Sequence, residues 1–90
     1  MAREGRPKIL LKLGSRVAEL RRERGLTQEA LAEVLDVSAG WVRRVERGDE
    51  NATVLTLERL ARALKQAPHE LLLPPETTKR RPGRPPSQKR

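Results

Sequence analysis

The sequence contains no cysteine, phenylalanine or tyrosine, and it has one histidine, one tryptophan and one methionine in 90 residues. Without cysteine there is no disulfide framework, thiolate metal site or thiol nucleophile, and the lone His69 cannot form a histidine ligand set. No metal and no cofactor are expected. With a single aromatic and 36% hydrophobic residues, the core must be small and built of Leu, Val, Ile and Ala. Such a core cannot wall a large enzyme cavity. No nucleophile beside a base, carboxylate cluster or phosphate-cradling glycine loop can be named, so the chain does not read as an enzyme. Long apolar runs are also missing. The stretch from Leu71 to Pro75 falls far short of a membrane span, and no apolar segment follows the basic N-terminus as a secretion signal would require. The chain reads as soluble, intracellular and cytoplasmic, with no membrane partner.

What is abundant is positive charge. Twenty Lys and Arg against twelve Asp and Glu give a formal net charge of +8, which favours a polyanionic partner, nucleic acid first. The excess is not spread evenly. Residues 1–8 carry three bases and one acid, residues 74–90 carry six and one, and residues 9–73 carry the remaining eleven and ten. The C-terminal piece is rich in proline and has no large apolar residue to offset the entropy of ordering it, so it reads as a disordered basic arm. A flexible basic N-terminal arm over 1–8, a folded domain over 9–73 and a disordered Pro/Arg/Lys-rich arm over 74–90 follow.

The middle segment has helical periodicity and no sustained period-two alternation. Leu10, Leu13, Val17 and Leu20 form a stripe that stops at Gly25. Thr27 suits the cap of a second helix from Gln28 to about Leu35, and Ser38 the cap of a third from Ala39 to Arg47, ended by Gly48. Thr53 can cap a fourth helix with Leu57, Leu60, Ala61 and Leu64 inward, and Pro68 opens a short fifth reaching Leu72 or Leu73. The expected fold is all-α with five helices.

The second and third helices, separated by about three residues, have the proportions of a helix-turn-helix over residues 27–47, whose second helix enters the DNA major groove. Projected at 100° per residue, Val42, Val45 and Glu46 of the third helix point one way, while Gly40, Arg43, Arg44 and Arg47 point the other. That outer face is basic and carries no acid. Arg43 and Arg44 can reach base edges, where a guanidinium forks onto guanine, and Arg47 suits phosphate. Ala39 and Gly40 let the backbone approach, and Ala39 can touch a thymine methyl. Trp41 reads first as a half-buried packing residue, with an indole N–H able to donate to phosphate. Gln28, at the start of the second helix beside free backbone amides, suits phosphate as well. The candidate DNA-contacting set in the domain is thus Thr27, Gln28, Ser38, Ala39, Gly40, Trp41, Arg43, Arg44 and Arg47. Arg21 and Glu46 sit at the edges of apolar faces, where a half-buried ion pair would orient the third helix more than stabilise the fold.

Taken together, Arg21, Gly25, Leu26, Thr27 and Gln28, then Leu31-Ala32, Val37-Ser38, the Val-Glu-Arg-Gly run at 45–48 and Leu60-Ala61 with Leu64 resemble the Cro/repressor-type helix-turn-helix family, also called the XRE family, over residues 11–73. The resemblance implies a bacterial transcriptional regulator. It implies that the position of Gln28 contacts phosphate, that those of Ala39, Gly40 and Arg44 face bases, and that those of Arg21 and Glu46 form a buried salt bridge. Two departures stand out. Ala39 and Gly40 replace residues that are often polar in the family, so base reading leans on Arg43 and Arg44. The loop after Gly48, commonly basic, is Asp49-Glu50-Asn51-Ala52, whose acids would repel phosphate and are expected to turn toward Arg47 or a partner.

Residues 79–86 resemble an AT-hook, a basic segment lying extended in the minor groove of A·T-rich DNA; Arg81, Gly83 and Arg84 are its candidate contacts. Pro82 stands where the hook has arginine, and a nonspecific basic tail fits the same residues. Gly5-Arg6-Pro7-Lys8 is a weaker copy. The expected assembly is a homodimer on a palindromic operator of double-stranded DNA, paired through His69, Leu71, Leu72 and Leu73, acting as a repressor-type regulator at the nucleoid. The rival is a protein-interaction module of the same fold, an antitoxin or adaptor with a toxin or a polymerase subunit as partner.

Overall fold

In the computed structural model, which describes residues 5–75, three of the helices begin at a hydroxyl. Thr27 Oγ1 accepts from the amide of Ala30 at 2.9 Å, Ser38 Oγ from that of Trp41 at 3.0 Å, and Thr53 Oγ1 from that of Thr56 at 3.0 Å. Each bond satisfies an amide that the helix itself leaves without a partner. The helices so opened are α2 (Gln28–Leu35), α3 (Ala39–Arg47) and α4 (Val54–Leu64). They follow α1 (Lys8–Glu23), which starts two residues before Leu10, the first leucine packed against the core. Its entry is capped by backbone alone, the Pro7 carbonyl accepting from Leu10 and Leu11. No apolar stripe could mark that first turn, because Ile9 faces solvent.

All four helices end by turning into the left-handed region. Gly25 (φ 73°) and Gly48 (φ 81°) do so as glycines, with the paired backbone bonds of a Schellman turn: Leu26 to Arg21 and Gly25 to Arg22, then Asp49 to Arg44 and Gly48 to Val45. Asp36 (φ 62°) and Lys65 (φ 60°) make the same turn with a Cβ present, which costs about 1 kcal/mol or more each.

The core gathers Leu13, Val17 and Leu20 of α1, Leu31, Ala32 and Leu35 of α2, Val42 and Val45 of α3, and Leu60, Ala61 and Leu64 of α4. α1 crosses α3 at very close range: a Cβ added to Gly14 would sit 2.6 Å from the Glu46 carbonyl oxygen and nearer still to that of Val45. Gly14 therefore sets how near α3 lies to α1. Arg16, itself buried, donates from Nη1 to Glu19 at 2.8 Å and from Nε to the Glu70 carbonyl at 3.1 Å, fastening the end of the domain to α1.

That end corrects the five-helix expectation. Pro68–Leu72 is a 3₁₀ helix, not an α-helix. Five residues between Pro68 and Pro74 leave room for little more than a turn, and Leu73, preceding a proline, is extended (φ −80°, ψ 153°). Leu71 is fully buried in the core, which removes it from the surface proposed for dimer contact; Leu72, Leu73 and His69 stay exposed. No strand occurs among the described residues, and no helix among them is long and apolar enough to cross a membrane.

Candidate nucleic-acid interface

α2 and α3 are joined by residues 36–38. The left-handed Asp36 reverses the chain, Val37 N–H donates back to the Ala32 carbonyl at 3.0 Å, and Ser38 caps the next helix. The reversal is tight because only three residues intervene. On α3, Val42 and Val45 are buried and Arg43, Arg44 and Arg47 are exposed, as the helical projection requires. Trp41 is half-buried against the core, the packing role read from its flank position. Side chains on a helix lean toward its N-terminus, and here Arg43 and Arg44 lean over Gly40: a Cβ there would lie 3.8 Å from both Arg43 Nη2 and Arg44 Nη1. Two guanidinium forks thus meet above the first turn of α3, where Ala39 and Gly40 carry no polar group.

The orientation of this helix is held from below. Arg21 of α1 grips Glu46 with two bonds, Nε to Oε2 at 2.7 Å and Nη2 to Oε1 at 3.2 Å, and its Nη1 donates to the Leu26 carbonyl at 2.8 Å. The two side chains are only 10% and 7% exposed. Gln28 joins them, its Nε2 donating to Glu46 Oε1 at 2.9 Å. The expected pair is therefore a three-residue network linking α1, α2 and α3. Gln28, half-buried, has one amide hydrogen committed to it and is anchored at the opening of α2.

The sequence reading missed what surrounds the arginines. Each has an acidic partner from another segment: Arg43 Nη1 lies 3.9 Å from Glu29, Arg44 Nε donates to Glu50 at 3.0 Å, and Arg47 Nε donates to Asp49 at 3.1 Å. Asp49 also holds Arg6, whose Nε is 2.6 Å away and whose Nη1 donates to the Arg47 carbonyl at 3.3 Å. The stretch just before α1 is thereby tied to the end of α3. The acid loop does turn toward Arg47, through Asp49, while Glu50 turns to Arg44. A clue was available in the departure from a basic loop, but the pairing of each acid depends on where the chain goes after Gly48.

Thr27 and Ser38 are exposed, with their hydroxyls occupied as caps. His69 is exposed, 3.8 Å from Glu70. Arg81, Gly83 and Arg84, the hook-like contacts, lie outside the described residues. Pro75, the last described residue, is buried beside α3 and lines a shallow cleft with Arg22, Gln28, Arg43 and Arg47.

Comparison with known proteins agrees with this geometry. Residues 12–73 match the family model of a helix-turn-helix domain. An HTH-type transcriptional regulator of Sinorhizobium fredii, y4dJ, is 44% identical over 66 residues, covering 73% of this chain and 86% of that protein. The regulator RamB of Mycobacterium tuberculosis is 42% identical over 48 residues, which are 53% of this chain and only 10% of RamB. Among solved structures, the restriction-modification controller protein C.AhdI of Aeromonas hydrophila superposes with a TM-score of 0.68 at 40% identity, over 72% of this chain and 98% of that one. SinR, the master regulator for biofilm formation solved in complex with DNA, gives 0.63 at 29% identity over 68% and 98%. With its helix-turn-helix matched from end to end and a relative covered nearly whole, the chain belongs to the helix-turn-helix domain family.

Proposed function

We propose that the protein is a sequence-specific DNA-binding transcriptional regulator of repressor type. It acts as a homodimer on a palindromic operator, with α3 in the major groove. The observation that carries this reading is the outer face of α3, where Arg43 and Arg44 converge over Gly40 in a helix whose tilt is fixed by Arg21, Glu46 and Gln28. The relatives y4dJ and RamB are HTH-type transcriptional regulators, and SinR was solved with DNA bound. Arg44 and Arg43 read bases, Arg47 and Gln28 with the N-terminus of α2 meet phosphate, and Thr27, Ser38, Ala39, Gly40 and Trp41 line the approach. Exposed Leu72 and Leu73 with His69 supply the dimer contact, and two copies place their recognition helices about 34 Å apart. Pro75 lies beside Gln28 and Arg43, and the basic residues that follow it in sequence add groove or phosphate contacts. A protein partner is the second reading, favoured by exposed Val54 and Leu55 at the start of α4.

Selection of bound duplexes from a random pool tests the central reading: an enriched inverted repeat with half-sites about 10 base pairs apart is expected, and no enrichment would refute it. Affinity measured against salt for the whole chain and for a chain ending at Pro75 tests the arm. The whole chain should show the steeper slope, by roughly 0.9 for each basic residue that meets a phosphate. Equal slopes would remove the arm from the interface.

A further inference from the structure

Glu50 stands out because it should not be there: a carboxylate beside a groove-facing arginine repels every phosphate that approaches. Its place in the structure gives it a use. Arg44 Nε donates to Glu50 Oε1 at 3.0 Å, while Arg44 Nη1 lies over Gly40, so one edge of the guanidinium is held by the loop and the other hangs above the first turn of α3. Among the described residues no hydrogen bond engages the Nη groups of Arg44. Resting on the DNA-reading role given to α3, we propose that Glu50 is a positioning residue that makes Arg44 selective for bases over backbone.

A base edge can accept from the Nη end of Arg44 without disturbing the bond to Glu50, so on a cognate site the carboxylate stays neutralised. On a non-cognate site the arginine can gain a partner only by swinging to phosphate, which breaks the pair and leaves Glu50 unpaired beside the DNA backbone. Discrimination is then built by penalising the wrong complex as well as by favouring the right one. Asp49 differs in kind: it lies between Arg47 and Arg6, away from the Arg44 fork, and moderates affinity for all DNA alike. Both acids are partly exposed and their pairs contribute little to stability, so conservative substitutions leave the fold intact.

The test uses the full chain, the duplex enriched by selection and a base-shuffled duplex of the same length. E50Q should lower the ratio of cognate to shuffled affinity by about threefold to fivefold, chiefly by tightening the shuffled complex. D49N should tighten both complexes equally. In an R44A background the effect of E50Q on the ratio should vanish, because Glu50 acts through Arg44. An NMR signal from Arg44 Nε–H that is slow to exchange in the parent and fast in E50Q would support the same bond. An unchanged ratio in E50Q, or a fall that persists with Arg44 removed, overturns the inference. A parent chain that enriches no sequence overturns the regulator reading and takes this inference with it, whereas a selective parent with an indifferent E50Q refutes Glu50 alone.

Discussion

Glu46→Ala isolates what the buried network contributes. The Glu46 carboxylate accepts three hydrogen bonds, two from Arg21 and one from Gln28, at 2.7, 3.2 and 2.9 Å. Its loss leaves the Arg21 guanidinium, in a side chain only 10% exposed, with the Leu26 carbonyl as its remaining acceptor. Removing one partner of such a pair costs about 3–5 kcal/mol, because the surviving charge stays desolvated. A domain of this size has roughly 4–10 kcal/mol in all, so the variant loses about 30% of its stability or more. Urea unfolding followed by Trp41 fluorescence measures this, since the single tryptophan lies half-buried on α3. The double replacement Arg21→Met, Glu46→Leu removes both charges and should come back to within about 1 kcal/mol of the parent. It should not recover discrimination between DNA sequences, because the bonds that set the tilt of α3 are gone. A loss below about 1 kcal/mol in Glu46→Ala would show that water reaches the pair. A double variant as unstable as the two single losses combined would show that packing, not charge, was measured.

Three further outcomes are expected. Gly14→Ala forces a methyl group onto the Val45 and Glu46 carbonyls, neither of which can rotate aside, and should cost about 1–3 kcal/mol or more, read as a fall in Tm of at least about 5 °C; no fall would mean that α1 and α3 stand further apart. Gly48→Ala should destabilise clearly more than Gly25→Ala by chemical denaturation: both sites have positive φ, yet a Cβ at 48 meets Leu11 Cδ2 at 2.7 Å while one at 25 meets open space, so equal losses would contradict the packing. Arg44→Ala should relax base preference at one position of the selected site at a cost of about 1–3 kcal/mol, and a uniform loss over all sequences would make it a phosphate contact.

The helix starts and stops were legible because they are local. A hydroxyl three residues before an amide, or a glycine after a last apolar turn, carries its reason within one turn of chain, which is why Thr27, Ser38, Thr53, Gly25 and Gly48 sit where the sequence placed them. The Arg21–Glu46 pair was legible for a related reason: both residues lie at the edge of an apolar stripe, and edges of packed faces meet. Gly14 was not. In sequence it is only a residue that weakens a helix, and its necessity comes from carbonyls on α3 that periodicity cannot bring near. Leu71 misled for the opposite reason, since three consecutive leucines do not say which one a 3₁₀ turn will bury. The counter-charges were hidden most completely. Helical projection gave α3 a face of bases free of acid, and that is true of the helix alone; Glu29, Asp49 and Glu50 enter from α2 and from the loop after Gly48. A count of +8 therefore says little about this face. DNA docking on this face would meet arginines already paired with carboxylates: a phosphate has to displace Asp49 from the Nε of Arg47, whereas the Nη end of Arg44 stays open to a base edge while Glu50 holds its Nε.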